Sequence, residues 1–161
     1  MAAEDIARIK AQEQALILPQ LDEAVAFTLG SAVRERALAE GLSLVVDVCS
    51  WDRQLFFAAT AGTHADNAEW VRRKINTVRR FGRASYRLVL ERGEAPFSPQ
   101  SGADPADYVI AGGGFPLQVK GAGIIGCLTI SGLPGRQDHG IAVDALCDHL
   151  GIDRALYALP V

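Results

Sequence analysis

Positive charge is concentrated in one short segment of the chain, between Trp70 and Tyr86. Six cationic side chains fall within twelve residues there: Arg72, Arg73, Lys74, Arg79, Arg80 and Arg83. The whole sequence holds 16 lysines and arginines against 19 acidic residues, so only 10 basic residues remain elsewhere, and the formal net charge is −3. Because the positive charge is local in an acidic chain, it favours a small anionic ligand or an acidic partner surface over nucleic acid.

Lys74 differs from the other cations of this segment. At 100° per residue, the apolar side chains of Val71, Ile75, Val78 and Phe81 share one side of a helix, and Lys74 falls among them. The arginines fall mainly on the opposite, polar side, as in any amphipathic helix. A lysine within an apolar arc must extend to water, pair with a carboxylate or meet a ligand.

Two explanations of Lys74 stay open from the sequence. Asp47 interrupts the apolar run LVVDV and is the natural partner for a buried ion pair. Alternatively, Lys74 and its neighbours line a pocket or a subunit interface, where a cation is kept for recognition.

Glycines and a helix start mark two further candidate parts of a binding site. Gly112, Gly113 and Gly114 precede Phe115, and three glycines in a row let a backbone or a ligand approach closely. Thr63 and Asp66 stand three residues apart, a spacing typical of a capping box at the start of the basic helix.

Other motifs do not predict a reaction. The run from Gly121 to Gly126 matches G-x-G-x-x-G, but a strand rather than a helix follows it, so it does not predict a dinucleotide site. The three cysteines and three histidines show no metal-binding spacing, and we expect no metal site. The cysteines stand among apolar residues and are interpreted as reduced core residues.

Periodicity predicts alternating pairs of helices and strands. Helices are expected at 4–15, 20–40, in the basic segment, at 84–92 and from Asp138 to the end of DHGIAVDALCDHLG, and strand hairpins at 42–62 and 115–132. A long loop is expected between Gly93 and Gly114. The order α-α-β-β-α-α-β-β-α predicts a single-domain α+β fold with an antiparallel sheet flanked by helices. Residues 1–17 are interpreted as a helical extension and residues 18–161 as the domain.

Four ordered stretches of the sequence resemble one family. They are AGTHADNAEWVRRKINTVRRFGRASY, DPADYVIAGGGFP, VKGAGIIGCLTISGLP and DHGIAVDALCDHL. Together they resemble the UPF0303 group, within the wider haem-degrading-domain or GlcG-like superfamily, from about Leu18 to Leu150. The resemblance implies a profilin-like domain that assembles into homo-oligomers. Some members of the superfamily bind haem, but the UPF0303 group has no agreed reaction.

The sequence departs from the family pattern at the place where a haem ligand would stand. Ala111 replaces a histidine before the glycines, and Gly114 replaces a serine. Ala65 replaces a proline, which affects only the helix entry. The resemblance carries over Asp66, Asn67, Arg72, Arg73 and Lys74 as site positions, with no catalytic role assigned.

From these observations we expect a cytoplasmic, homo-oligomeric binding module for an anionic small molecule, with haem or another tetrapyrrole as the candidate. The alternatives are a protein-interaction scaffold that uses the basic helix face, and an enzyme that acts on a tetrapyrrole. No signal sequence or membrane span is expected, and no nucleic-acid partner. The predicted ligand-binding residues are Thr63, Asp66, Asn67, Arg72, Arg73, Lys74, Gly112, Gly113, Gly114 and Phe115.

Overall fold

The secondary structure was established with a computed structural model that describes residues 1–93 and 95–161. The helices are α1 (Ala2–Ala15), α2 (Glu23–Glu40), α3 (Ala65–Phe81), α4 (Ser85–Arg92) and α5 (Gly135–Leu150). The strands are β1 (Ile17–Leu18), β2 (Val45–Ser50), β3 (Gln54–Ala59), β4 (Gly114–Val119) and β5 (Gly123–Ser131). The order matches the sequence prediction with one addition, the short strand β1.

The five strands form one sheet in the order β1-β4-β5-β2-β3. The pairs β4/β5, β5/β2 and β2/β3 are antiparallel, as expected for two hairpins. Strand β1 adds a parallel edge, with Ile17 opposite Gln118 and Leu18 opposite Val119. The predicted α+β single domain is confirmed, but its sheet is mixed. A two-residue strand is too short to show an alternating pattern, so the sequence did not reveal β1.

Helices cover both faces of the sheet. Helices α2 and α5 pack on the face that carries Val46 and Val48, and α3 packs on the face that carries Cys49 and Cys127. Because strand residues alternate between faces, Asp47 lies on the same side as Cys49, towards α3. Burial on both faces explains why β2 and most of β5 are apolar almost without interruption.

Helix α1 packs against α4 and contributes to the main core. Ile9 and Leu16 are fully buried there, together with the polar Gln12. Gln12 is satisfied by hydrogen bonds with His139 at 2.8 Å and with the Tyr157 carbonyl at 2.7 Å. The N-terminal helix therefore shares a core with the rest of the chain, and the boundary at residue 17 stays a prediction.

Helix α3 begins one residue later than the predicted capping pair requires. Its N-cap is His64, whose backbone N–H donates to Asn67 Oδ1 at 2.9 Å. Thr63 instead donates its hydroxyl to the Thr60 carbonyl at 2.7 Å. The prediction of a Thr63 and Asp66 capping box was therefore wrong by one position. The helix ends as predicted at Gly82, whose φ of +63° suits glycine.

No helix within 1–93 and 95–161 is both long and apolar enough to span a bilayer.

Candidate functional site

A cleft lies between α3, the segment 95–113 and the start of α5. It consists of a larger cavity of about 600 Å³ and a smaller cavity of about 250 Å³. Trp70, Ala111, Gly112 and Gly135 line both cavities, so the two adjoin. The larger volume falls in the range of ordinary ligand pockets.

Aromatic side chains form the walls of the larger cavity. Trp70 comes from α3, Tyr86 from α4, and Phe97 and Tyr108 from the long segment that follows α4. Phe97 is fixed by stacking on Phe81, with ring centroids 4.9 Å apart. Flat apolar walls of this kind suit a planar ligand body.

Two arginines bring positive charge to this aromatic cavity. Arg73 lies over the Trp70 ring, with its guanidinium carbon 4.5 Å from the ring centroid. Arg136, in the first turn of α5, pairs with Asp5 of α1 and donates to the Pro160 carbonyl. Both ends of the chain therefore hold Arg136 at the cavity.

Two other arginines of the basic helix hold the long segment in place. Arg72 donates to the Asp107 carboxylate at 2.9 Å and to the Ala106 carbonyl at 2.7 Å, and Arg80 donates to the Ser101 carbonyl. Thr77 adds a hydrogen bond to the Val109 carbonyl at 2.8 Å. Part of the positive charge of the basic helix therefore serves to bind carbonyl and carboxylate groups of the long segment, which closes one side of the cleft.

Lys74 lies beneath the smaller cavity with only 3% of its surface exposed. Its amine donates to the Ile130 carbonyl at 2.9 Å and to Asp138 Oδ2 at 3.3 Å. The prediction that Lys74 pairs with Asp47 was wrong. Asp47 faces another part of α3 and accepts a hydrogen bond from Gln54 at 2.6 Å. Lys74 therefore pairs with a carboxylate, that of Asp138 rather than Asp47, and it also lines a cavity.

Burial shapes the protonation of the Lys74 and Asp138 pair. Burial raises the pKa of Asp138 to about 6, although the Lys74 ammonium and the N–H of Leu133 oppose this rise. Burial also lowers the pKa of Lys74, and the Asp138 carboxylate opposes that change. Asp138 is therefore mostly ionised at neutral pH, and the pair loses its negative partner as the pH falls through about 6.

The glycines before β4 allow three segments of the main chain to pack closely beside Lys74. A Cβ atom on Gly113 would lie 2.2 Å from the Ile130 carbonyl oxygen and 2.9 Å from the Lys74 amine, and its φ is +126°. A Cβ atom on Gly112 would lie 2.5 Å from the Gly135 carbonyl oxygen. Glycine is therefore required here by close backbone packing along the cleft.

Comparison with known proteins gives the family. The family model described as "Haem degrading protein HbpS-like" matches residues 21–147. The chain is 58% identical over 154 residues to the UPF0303 protein mlr5144 of Mesorhizobium japonicum, covering 94% of this chain and 92% of the relative. The chain belongs to the UPF0303 group of the HbpS-like family. A UPF0303 protein of Brucella melitensis biotype 2 is 54% identical, over 96% of this chain and 93% of its own length.

Solved structures agree with the fold of this UPF0303 protein. The crystal structure of Ybr137w superposes with a TM-score of 0.84 at 26% identity, covering 91% of this chain and 87% of that one. The PduOC:heme complex gives a TM-score of 0.66 at 26% identity, covering 79% and 93%. HbpS shares the fold, with a TM-score of 0.64 at 23% identity, covering 82% of this chain and 91% of that one.

The cleft of this UPF0303 protein brings together four of the residues predicted from the sequence: Asn67, Arg73, Lys74 and Gly112. The other predicted residues lie outside its lining: Thr63, Asp66, Arg72, Gly113, Gly114 and Phe115. Several of these support it, since Asp66 accepts a hydrogen bond from the Trp70 indole at 3.1 Å and Arg72 anchors the loop. Phe115 is 1% exposed and belongs to the main core.

Sequence reasoning missed most of the cleft's walls. Tyr86, Phe97, Tyr108 and Arg136 were not predicted as site residues, yet all four line the larger cavity. Tyr86 and Tyr108 do occur within the stretches that resemble the family, which was the available signal. Nothing in the sequence pattern singles out Arg136, because its position depends on contacts with both chain ends.

Proposed function

We propose that this UPF0303 protein binds a planar, carboxylated small molecule of the tetrapyrrole class, with haem as the candidate ligand, in the larger cavity of the cleft. The observation that carries the proposal is a cavity of about 600 Å³ that combines aromatic walls with two arginines. The walls would contact the faces of the ring, because burial of flat apolar surface is the main source of affinity for such a ligand.

The two arginines would bind the ligand's carboxylates. A guanidinium group can donate two parallel hydrogen bonds to a carboxylate, which gives both affinity and orientation. Arg136 stands in the first turn of α5, where unpaired backbone N–H groups also favour an anion. About 40% of the Arg136 side chain is exposed despite its pairing with Asp5, so it can reach a ligand.

Tyrosine is the side chain that fits a haem iron in this cavity. Among the described lining residues there is no histidine, cysteine or methionine, but Tyr86 and Tyr108 are present. A tyrosine oxygen holds the iron in some haem proteins. Ala111 lines the cavity at the position where the family pattern has a histidine. Recognition of both haem and metal-free protoporphyrin is expected to depend on the ring and its carboxylates, and ligation of the iron by a tyrosine would add affinity for haem alone.

Several related proteins support this choice of ligand. The matching family model is described as haem degrading, and PduOC, which shares the fold, was crystallised with heme.

We further propose a cytoplasmic homo-oligomer. The three cysteines are free, as is usual in a reducing compartment, and the exposed apolar side chains of Phe27 and Leu38 could be covered by another copy.

The test is an absorbance titration with haem and, separately, with protoporphyrin IX. Arg73→Gln and Arg136→Gln should each weaken binding about tenfold or more, since a hydrogen bond to a charged group contributes about 1.5–3 kcal/mol. Arg34→Gln, which changes an exposed arginine on α2 paired with Glu35, is the matched control and should leave the affinity unchanged. Wild-type protein that binds neither compound, or affinities equal in all four proteins, would refute the proposal.

A further inference from the structure

A separate cavity lies on the other side of α3 from the cleft, between that helix and the β2–β3 hairpin. We call it the hairpin groove. Its volume is about 310 Å³, and Trp51, Phe57, Val71 and Ile75 form its apolar walls. Phe57 is 43% exposed, so the groove is open to solvent. None of its described lining residues lines either cavity of the cleft.

The hairpin groove contains a buried carboxylate with one oxygen that receives no hydrogen bond. Asp47 lines the groove, although only 2% of its surface is exposed. Oδ2 accepts a hydrogen bond from Gln54 at 2.6 Å. Oδ1 is fully buried, and no donor in residues 1–93 or 95–161 reaches it. A buried acceptor without a donor costs about 1–3 kcal/mol, and more when it is charged.

The two arginines that line the hairpin groove do not compensate for this charge. Arg72 is paired with Glu69 and Asp107 at 3.1 Å and 2.9 Å. Arg53 is paired with Glu23 on the surface. Both arginines line the groove, yet neither donates to Asp47. A ligand that enters the groove can therefore supply both the missing donor and the missing positive charge.

We propose that the hairpin groove binds a small cationic amine with an apolar body, whose ammonium group pairs with the Asp47 carboxylate. The apolar walls receive the body of the ligand, and the charge of Asp47 disfavours anions. The groove is at the lower end of the usual range of pocket volumes, which limits the ligand to a small molecule. This site is separate from the proposed tetrapyrrole site in position and in charge preference.

The two tryptophans of the chain allow the hairpin groove to be monitored alone. Trp51 lines the groove and Trp70 lines the cleft, so the variant Trp70→Phe keeps a single reporter at the groove. The probe is 2-phenylethylamine, which is an ammonium ion at neutral pH. The matched probe 2-phenylethanol has the same apolar body without the charge. Fluorescence of Trp51 is followed during each titration.

The amine should give a saturable change and should bind at least about tenfold more tightly than the alcohol. Asp47→Asn in the same background should reduce the amine's affinity by about tenfold or more and leave the alcohol unaffected. Glu35→Gln is the matched control, because Glu35 is an exposed carboxylate on α2 that does not line the groove; it should change neither affinity.

Three results would overturn this proposal. They are equal binding of the two probes, an amine affinity that Asp47→Asn leaves unchanged, and no saturable change up to about 10 mM amine, which is weaker than a specific site requires. Haem binding by Asp47→Asn should remain at the wild-type level. Failure of the groove is thereby distinguished from failure of the tetrapyrrole site.

Discussion

Replacing Lys74 by methionine should destabilise the fold strongly, because it leaves the buried carboxylate of Asp138 without its cation. Asp138 is 1% exposed and would keep the N–H of Leu133 at 3.1 Å as a hydrogen-bond donor. The Ile130 carbonyl would also lose the donor that now lies 2.9 Å away. Breaking a buried ion pair on one side costs about 3–5 kcal/mol, and we expect a loss of unfolding free energy of that size at about pH 8.

The loss should be smaller in acid, since Asp138 can then become neutral. Its pKa is already raised to about 6, and removal of the ammonium raises it further. A group whose pKa is higher in the folded than in the unfolded state lowers stability progressively as the pH rises. The difference between wild type and Lys74→Met should therefore shrink between about pH 8 and about pH 5.

Urea unfolding followed by circular dichroism measures this difference at both pH values. Lys10→Met, which changes an exposed lysine on α1, is the matched control and should stay within about 0.5 kcal/mol of wild type. In the double variant Lys74→Met/Asp138→Asn the unpaired charge is gone, so much of the lost stability should return. A loss below about 1 kcal/mol at about pH 8, or a double variant no more stable than Lys74→Met, would refute the reasoning.

Two further substitutions test the buried acid Asp47 and the glycine run. Asp47→Asn should stabilise the protein by up to about 3 kcal/mol at about pH 8, because burial raises the pKa of Asp47 to about 6. This gain should vanish towards about pH 4, and a gain independent of pH in urea unfolding would contradict the explanation. Gly113→Ala should cost more than about 2 kcal/mol, since its Cβ would contact the Ile130 carbonyl oxygen. Gly41→Ala, at another positive φ but in open space, should cost about 1 kcal/mol, and equal thermal shifts in both would disprove the contact.

The sequence was sufficient to predict the type and order of the longer elements. Helical periodicity located α3 and put Lys74 on its apolar side, where the structure shows it buried. The acid that pairs with Lys74 could not be predicted, since Asp138 lies 64 residues away and approaches only when α5 begins beside β5. Asp47 was the plausible partner because it was the visible charge in an apolar strand.

The candidate site was harder to predict than the fold. Asn67 and Arg73 were taken from the family resemblance; both line the cleft, and their role in binding stays a prediction. Phe97 and Tyr108 lie in an irregular segment without periodicity, so their direction depends on hydrogen bonds that α3 makes to that segment. Such long-range contacts are set by tertiary packing, which local sequence patterns do not encode.

The central claim is that the aromatic cavity between α3, the segment 95–113 and α5 binds a tetrapyrrole. A crystal structure of the protein with protoporphyrin IX tests it most directly. We expect the ring to lie between Tyr86, Phe97 and Tyr108, with its carboxylates about 3 Å from the guanidinium groups of Arg73 and Arg136. A porphyrin bound outside this cavity, with Arg73 and Arg136 making no contact to it, would contradict the claim.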